Sequence, residues 1–571
     1  MQAVAISPAD ANTVLVGGAT EGGSGAVFRT TTGGQDWRLV AGLDMPFVTS
    51  VVFSPTNAQT AFFGNGQGVW RSQDAGATWS LVLSGPTVLS LLANPLNGDI
   101  VYVGTSDQGV FRTANGGATF HALNDGLGNL LVPALAIDRG RPQTLWAGTG
   151  DGAWSFTIAE PQPVRTWFFA EGSTAPPFDT WYLVQNPTTA PAAVTFTFQL
   201  EGGATTSRSF TVGPRSRFSL FANQVLPNQA LSARIDADQP VFAERAMYVG
   251  FDGHVVSGIA APSPTWLFAE GSTQPPFHTW LLLQNPNAEA TAATVTYLLQ
   301  GGGSQTQSLL LPPTSRTSIF VNQVLSNVAF STQVRSDRPI IAERAMYRFP
   351  GNSATGVSGV TRPARSWFFA EGQTATLGLP TDTWLLLQNP NPTSVPVTIT
   401  LFREADSPAT IQATLPAASR ESFFLDQFVG EGFGSFGIRV EAGADIVAER
   451  SVFFGAEPRG SFATQGSPAL ATVWQLAEGS TAPPFDEIIA IMNPNAQDAA
   501  VTVDFQLETG QVVTRTYTVG AQRKLSIRVD DIVPNAAVSA TVQTSLPTVV
   551  ERTMYMVKEG GIGAHNTIGI R

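Results

Sequence analysis

The chain has 571 residues, of which 43% are hydrophobic and only 13% charged, and its formal net charge is −12. This composition excludes a charge-driven disordered polymer, and the length predicts several domains instead of one core. The 31 basic residues form no cluster, so we expect neither nucleic-acid binding nor attachment to an anionic membrane. Cysteine is absent from the sequence, which excludes disulfides and thiolate metal sites.

Targeting signals are weak in the sequence. Residues 1–8 have neither a basic region nor a long apolar stretch, so they do not read as a signal peptide. Nowhere does an apolar run approach the ~20 residues of a membrane span, and we predict no membrane insertion.

Residues 1–160 repeat a unit of about 42 residues. Each unit has an apolar strand that ends in glycine and then a second short strand. The glycine-ending strands are Val14–Gly17, Ala61–Gly64, Val101–Gly104 and Leu145–Gly148. Strands this short, with regular spacing, predict a stack of small antiparallel sheets.

A turn motif follows three of the four short strands. An Asp or Asn side chain in such a turn can hydrogen-bond its own backbone, and the glycine two residues later supplies a positive φ. The aromatic residue that ends the motif then returns to the core. The structural turn residues in the two better copies are Ser72, Asp74, Gly76, Thr78, Trp79, Thr113, Asn115 and Gly117.

The motif resembles the Asp box of BNR-type β-propellers, a group that includes sialidases, sortilin-like receptors and photosystem II assembly factors. The resemblance implies that residues 1–160 are propeller blades, about four in number. Complete propellers have four to eight blades. Either the sequence covers part of a larger propeller, which we favour, or an open arc is completed by another element.

From Trp167 the period changes to about 100 residues. Each copy opens with an aromatic strand and Glu-Gly, continues to Asn-Pro, and carries Glu-Arg on a late strand. Strands such as Ala193–Leu200 alternate with period two, and about seven short strands per copy predict an immunoglobulin-like β-sandwich. The predicted repeat domains are residues 165–262, 263–363, 364–470 and 471–571.

The pattern W-x-F-A-E-G, N-P-N and A-E-R-x-M-Y resembles a module found in tandem in secreted bacterial proteins. The resemblance covers residues 165–571 and implies an exported protein, extracellular or at the cell surface. It implies no activity.

The recurring Glu and Arg are the main site candidates. Neighbouring residues on a strand face opposite ways, so one charge of each Glu-Arg dipeptide is expected to point inward and to need a partner. We predict that the Glu of Glu-Gly pairs with the Arg of its own copy as a structural clamp; calcium or ligand binding is the alternative. The predicted pairs are Glu171–Arg245, Glu270–Arg344, Glu371–Arg450 and Glu478–Arg552.

Catalytic patterns are missing from the sequence. The four histidines are scattered without metal-ligand spacing, and no Gly-x-Ser-x-Gly elbow or phosphate-binding loop occurs. Arg29, Arg71 and Arg112 recur at equivalent blade positions, which indicates an architectural role instead of a sialidase triad. We therefore predict no enzyme, with no catalytic, cofactor-binding or metal-binding residue and no cofactor.

The sequence favours a structural or adhesive surface protein, a semi-rigid rod of sandwiches able to form a filament or layer. Its partners would be a protein or glycan ligand, or further copies of itself. Two alternatives stay open: a glycan- or protein-binding receptor that uses the propeller face, and a sialidase-like glycosidase fragment. We expect three tryptophans to lie in the core: Trp181, Trp280 and Trp384. If they lay together on one surface instead, they would favour glycan binding.

Overall fold

The computed structural model describes residues 2–20, 22–42, 47–95, 98, 100–113, 116–117, 120–124, 127–137, 144–157, 164–348, 353–376, 379–455, 460–558 and 561–571. The chain divides into two compact units, Met1–Ala159 (unit 1) and Glu160–Arg571 (unit 2). Strands dominate both units, which confirms the all-β prediction. The α-helices of the described residues are single turns of four residues.

Unit 1 contains four antiparallel sheets in which each strand pairs with the next along the chain, as in propeller blades. Blade 1 comprises β1 (Ala3–Ile6), β2 (Val14–Ala19), β3 (Gly25–Thr30) and β4 (Arg38–Gly42). Blade 2 comprises β5 (Ser50–Phe53), β6 (Ala61–Asn65), β7 (Gly68–Ser72) and β8 (Ser80–Ser84). Blade 3 comprises β9 (Val88–Ala93), β10 (Val101–Thr105), β11 (Val110–Thr113) and β12 (His121–Ala122). Blade 4 comprises β13 (Ala134–Ile137), β14 (Thr144–Thr149) and β15 (Gly152–Thr157).

Glycines in the second strands let neighbouring blades approach each other. A Cβ at Gly17 would lie 2.5 Å from Cγ1 of Val48, and a Cβ at Gly64 would lie closer still to Val88. Both valines are fully buried where the next blade begins. Apolar layers between the sheets, for example Leu15 with Phe63, then bury both faces of the inner strands.

Unit 2 contains four sheets with equivalent strand pairing, each built on one long strand, and we number these units repeat 1 to repeat 4. Repeat 1 comprises β16 (Val164–Phe169), β17 (Phe178–Asn186), β18 (Ala192–Leu200), β19 (Thr205–Val212), β20 (Ser216–Phe221), α1 (Ala222–Val225), β21 (Leu231–Val249) and β22 (Asp252–Ser257). Repeat 2 comprises β23 (Ser263–Phe268), β24 (Phe277–Asn285), β25 (Thr291–Leu299), β26 (Ser304–Leu311), β27 (Ser315–Phe320), a 3-10 turn (Val321–Gln323), β28 (Phe330–Arg348) and β29 (Ser353–Ser358).

The remaining repeats follow the same order. Repeat 3 comprises β30 (Ala364–Phe369), β31 (Ala375–Thr376), β32 (Leu379–Asn389), β33 (Val395–Arg403), β34 (Ala409–Leu415), β35 (Ser419–Phe424), α2 (Asp426–Val429), a 3-10 turn (Glu431–Phe433), β36 (Phe436–Phe454) and β37 (Gly460–Gln465). Repeat 4 comprises β38 (Ala471–Leu476), β39 (Phe485–Asn493), β40 (Ala499–Leu507), β41 (Val512–Val519), β42 (Arg523–Arg528), a 3-10 turn (Val529–Asp531), β43 (Val538–Lys558) and β44 (Gly561–Ile568).

The long strand of each repeat belongs to both halves of a curled sheet. In repeat 1 the first part of β21 pairs with β16 and β18, and its second part pairs with β17 and β22. Strands β28, β36 and β43 play the same part in the other repeats. Because both halves of the curled sheet include the long strand, the structure shows one continuous sheet in each repeat. The immunoglobulin-like arrangement of two separate sheets stays a prediction.

The four repeats close into a ring. Strands β22, β29, β37 and β44 lie at its centre, and each contacts the next, including β44 with β22. The hydroxyl groups of Ser257 and Thr567, on repeats 1 and 4, lie 3.1 Å apart. The prediction of an extended rod is therefore wrong, because successive repeats turn back on one another and the fourth contacts the first. Burial of strand surface favours closure of the ring. The second half of β21 is buried on both faces, and a neighbouring repeat is needed to cover one of them.

Candidate functional site

The turn of blade 2 that is predicted to be an Asp box, Ser72 to Trp79, closes on itself through side-chain hydrogen bonds. Asp74 accepts hydrogen bonds from the backbone N–H of Thr78 (2.8 Å) and from the Thr78 hydroxyl (2.6 Å). The Ser72 hydroxyl donates to Asp74 and accepts the N–H of Gly76, each at 2.8 Å. Desolvation acts to raise the pKa of Asp74, but these hydrogen bonds outweigh it and leave the pKa below its ordinary value. Trp79 then packs edge-on against Phe63, with ring centroids 4.8 Å apart.

In the described residues of blades 1 and 3, a threonine occupies the place of Ser72: Thr30 accepts the N–H of Gly34 at 3.1 Å. Thr113 accepts the N–H of Gly117 at 2.9 Å, as Ser72 does in blade 2. Asn115 lies outside the described residues. Arg29 of blade 1 donates to the carbonyl of Ala75 in the box of blade 2 at 2.9 Å. At least one of the recurring blade arginines therefore joins neighbouring blades.

Unit 2 holds a buried ion-pair network at every junction between repeats. At the first junction, Arg245 lies 2.8 Å from Glu171 of its own repeat and 2.5 Å from Glu343 of repeat 2. Glu343 also accepts the backbone N–H of Ala170 at 2.8 Å. The hydroxyl of Tyr347 donates to Glu171 at 2.9 Å. Arg245 is therefore neutralised by carboxylates from two repeats at once.

The same junction recurs around the ring and closes it. The distances are 2.8 Å for Arg344–Glu270, 2.9 Å for Arg344–Glu449, 2.8 Å for Arg450–Glu551, 2.6 Å for Arg552–Glu478 and 3.0 Å for Arg552–Glu244. In each case the second carboxylate belongs to the next repeat, and Glu244 of repeat 1 completes the cycle. The structure thus brings together three of the four predicted pairs.

The pair Glu371–Arg450 departs from the prediction. Lys524 of repeat 4 binds the Glu371 carboxylate at 2.6 Å, and Arg450 donates to the main-chain oxygen of Glu371 instead. Arg450 also donates to Asn566 at 2.8 Å. The lysine, a feature of repeat 4, reaches the carboxylate from across the junction.

Both charges of each Glu-Arg dipeptide are buried, although the alternation along a strand predicts that one of them points inward and the other outward. Glu244 and Arg245 are each 0% exposed. Alternation along the strand does place them on opposite faces, but the neighbouring repeat covers the outer face. The second glutamate is the partner that the sequence prediction missed.

A further set of basic residues was also missed. Arg217, Arg316, Arg420 and Lys524 occupy equivalent positions and reach the Glu-Gly segment of the preceding repeat; Arg316, for example, donates to the carbonyl of Gly172 at 2.9 Å. Three of them follow a serine, and this recurring Ser-Arg is the signal that could have identified them. Together with the four central arginines they balance the eight buried glutamates of the network.

One carboxylate lies at the centre of the ring. Asp252 accepts backbone N–H groups from Ala354 (3.2 Å), Ser461 (3.1 Å) and Ala564 (2.8 Å), one from each of the other repeats. Burial raises the pKa of Asp252 to about 7, while these N–H groups favour the ionised form. At the position equivalent to Asp252, repeats 2 to 4 carry Ser353, Gly460 and Gly563. The single carboxylate of Asp252 therefore links all four repeats.

Clefts open to the surface where repeats meet. The cleft between repeats 2 and 3 has a volume of about 520 Å³, and its lining includes Glu270, Arg348, Asp382, Trp384, Arg420 and Ser422. The cleft between repeats 4 and 1 has a volume of about 350 Å³, and its lining includes the equivalent residues Glu478, Asp179, Trp181, Arg217 and Ser219, together with Lys558, which lies two residues beyond the position of Arg348.

The tryptophans predicted for the core are half-buried instead. Trp181, Trp280 and Trp384 each stack on a phenylalanine of the adjacent strand, with ring centroids 4.6 to 4.9 Å apart. In repeat 4 the equivalent residue is Ile488. The described residues contain no cluster of His, Asp or Glu suited to a metal ion.

Comparison with known proteins gives partial matches. No family model matches the chain. Over 233 residues it is 27% identical to a curated xyloglucanase of a Paenibacillus species, which covers 31% of this chain and 23% of the relative. The chain therefore spans about a quarter of the length of that relative.

Two solved structures illustrate the range of similarity. The GH74 enzyme of Niastella koreensis is 22% identical, with 26% of each chain covered and a TM-score of 0.23. The Anabaena sensory rhodopsin transducer is 28% identical, with 14% of this chain and 93% of that chain covered and a TM-score of 0.13.

The match with the Paenibacillus xyloglucanase corrects the functional prediction. The curated relative is named as an enzyme that acts on a polysaccharide, so the expectation of a non-enzymatic structural or adhesive rod is wrong. The glycosidase alternative fits the finding better. In the part of the chain that the structure describes, no helix is long and apolar enough to cross a membrane.

Proposed function

We propose that this protein is a glycoside-hydrolase-type protein that acts outside the cell on a β-glucan of the xyloglucan kind. The observation that carries the proposal is the 27% identity with the Paenibacillus xyloglucanase over 233 residues. In this proposal the blades of unit 1 are part of a β-propeller.

Exposed aromatic side chains on the blades support contact with a polysaccharide. Trp37 and Trp146 are 43% and 49% exposed. The electron-rich face of an indole ring attracts the positively polarised C–H groups on the flat side of a pyranose ring. Xyloglucan has a backbone of such rings, so these tryptophans are suited to hold it.

Hydrolysis of a glycosidic bond normally requires two carboxyl groups. Asp10, Asp74 and Asp151 accept hydrogen bonds within their own turns and are occupied structurally. Among the described residues of unit 1, Asp36 and Asp107 are the carboxylates that do not close a turn in this way. We propose these two as the first acids to test.

The test is release of reducing ends from soluble xyloglucan by the full chain. We expect release by the unmodified protein and a loss of at least about 100-fold in Asp36→Asn or Asp107→Asn. No release by the unmodified protein would contradict the proposal. Undiminished release by both variants would place the acids elsewhere.

A non-hydrolytic glycan-binding role is the second candidate. It is favoured by the structural use of Asp10, Asp74 and Asp151, which leaves Asp36 and Asp107 as the other carboxylates among the described residues of unit 1. Retention of the chain on immobilised xyloglucan without release of reducing ends would identify this role.

A further inference from the structure

We propose that the two inter-repeat clefts of unit 2 are saccharide-binding sites, each of which holds a neutral pyranose of a β-glucan against its tryptophan. The clefts are separate from the blades of unit 1. The saccharide class rests on the proposed function, whereas the sites themselves rest on the geometry of unit 2.

Size and lining are those of a ligand site. Volumes of about 520 and 350 Å³ are within the range of small-molecule pockets, which combine aromatic walls with a few fixed polar groups. Each cleft is large enough for one or two sugar rings. The two clefts repeat the same chemistry at different junctions, as expected of a feature built into the repeat.

The tryptophan of each cleft is fixed in place. Trp384 stacks on Phe424 with centroids 4.9 Å apart and an interplanar angle of 25°, and Trp181 stacks on Phe221 at 4.6 Å and 24°. Because the ring is already ordered, little conformational entropy is lost when a ligand packs against it. A flat apolar wall of this kind suits the C–H face of a pyranose.

Polar groups next to the tryptophan are also held rigidly. Arg420 is 4% exposed and donates to Gln300 at 2.9 Å. In the other cleft Arg217 donates to Ser219 at 2.8 Å, while its buried Nε has no hydrogen-bond partner in the described structure. Hydroxyl groups of a sugar can both donate to the carboxylates and accept from the guanidinium groups.

Charge balance selects a neutral ligand. The cleft between repeats 2 and 3 has two basic residues, Arg348 and Arg420, and two acidic ones, Glu270 and Asp382. The other cleft likewise has two basic and two acidic residues. A phosphate or a carboxylate would face two acids, and a cation would face two bases, so a polyhydroxylated neutral molecule fits best.

The test is calorimetric titration of the full chain with xyloglucan heptasaccharide. We expect the clefts to supply two binding sites per chain, and these two sites to bind at least about tenfold more weakly in the double variant Trp181→Ile/Trp384→Ile. Isoleucine is the natural residue at this position in repeat 4, as Ile488, so the fold should tolerate it. Trp280→Ile is the matched control, because Trp280 stacks on Phe320 in the same way but lines neither cleft, and it should leave the cleft sites unchanged.

A second variant covers the case in which the double tryptophan variant does not fold. Asp179→Asn/Asp382→Asn keeps the shape of both clefts but changes the hydrogen bonding, and binding should again weaken at least about tenfold. Unchanged affinity in the folded variants, loss of affinity in Trp280→Ile alone, or no binding by the unmodified chain would each overturn the inference. Binding at the clefts without release of reducing ends would contradict only the hydrolase proposal.

Discussion

Arg245 of the first repeat and Glu343 of the second form a buried ion pair of 2.5 Å, so the charge of one repeat is neutralised by its neighbour. Both side chains are at most 1% exposed. Removal of either partner would leave an uncompensated charge in a low-dielectric interior. Such pairs therefore specify how the repeats assemble, more than they stabilise any one of them.

The first prediction concerns Arg344, which lies between Glu270 and Glu449. Arg344→Met should destabilise unit 2 by about 3 kcal/mol, because two buried carboxylates lose their cation. Urea unfolding of the full chain measures the effect. Arg338→Met is the control, since the Arg338–Glu289 pair is exposed and 3.6 Å apart, and we expect no measurable change there. Equal stability of the two variants would contradict a structural role for the network.

The second prediction concerns the acid at the centre of the ring. Asp252→Ala should destabilise unit 2 by about 3 kcal/mol, because three buried N–H groups from three repeats lose their acceptor. Thermal melting of the full chain provides the measurement. Asp238→Ala is a matched control that removes one exposed hydrogen bond, to Ala193. A melting temperature as high as that of the control would show that Asp252 does not hold the ring together.

The third prediction concerns pH. Burial raises the pKa of Glu487 to about 8, from an ordinary value of 4.5. Between these two values the folded state binds a proton that the unfolded state has released, so the contribution of Glu487 to stability is greatest below pH 4.5 and falls as pH rises towards 8. The upper limit of the loss from this group is about 1.4 kcal/mol per pH unit.

Repeats 1 to 3 supply the matching variant for Glu487. They carry Thr180, Thr279 and Thr383 at this position, and Thr279 donates its hydroxyl to the Ser272 carbonyl at 2.5 Å. Glu487→Thr should raise stability at pH 8 and flatten the decline between pH 5 and 8, as measured by urea unfolding across this range. An unchanged pH profile would show that Glu487 does not cause the decline.

The fourth prediction concerns the Asp box. Asp74→Ala should destabilise unit 1 by about 1 to 2 kcal/mol, because the N–H groups of Ala77 and Thr78 lose their acceptor. Hydrogen exchange of blade 2 reports the effect locally. Asp107→Ala removes one exposed hydrogen bond, from Ser106, and serves as the control. If exchange in blade 2 is the same in both variants, the box does not stabilise the turn.

The repeats and their strands were predictable because apolar patterning and turn residues act locally. The strands around Val14–Gly17 and Ala193–Leu200, and the turn at Asp74, follow from neighbouring residues alone. The second partner of Arg245 was not predictable in this way, since Glu343 is 98 residues distant in the sequence. A usable signal did exist: the second half of β21 is apolar without alternation, which is typical of strands buried on both faces.

The sequence by itself determined the all-β class, the two periodicities and the pairing of Glu171 with Arg245 within one repeat. Only the tertiary structure decided that the repeats form a ring, that Glu244 is buried, and that Trp181 and Trp384 line clefts. The physical reason is that strand patterns report whether a side chain is buried, but not whether its own repeat or the next one buries it. That choice depends on how surfaces distant in the sequence fit together.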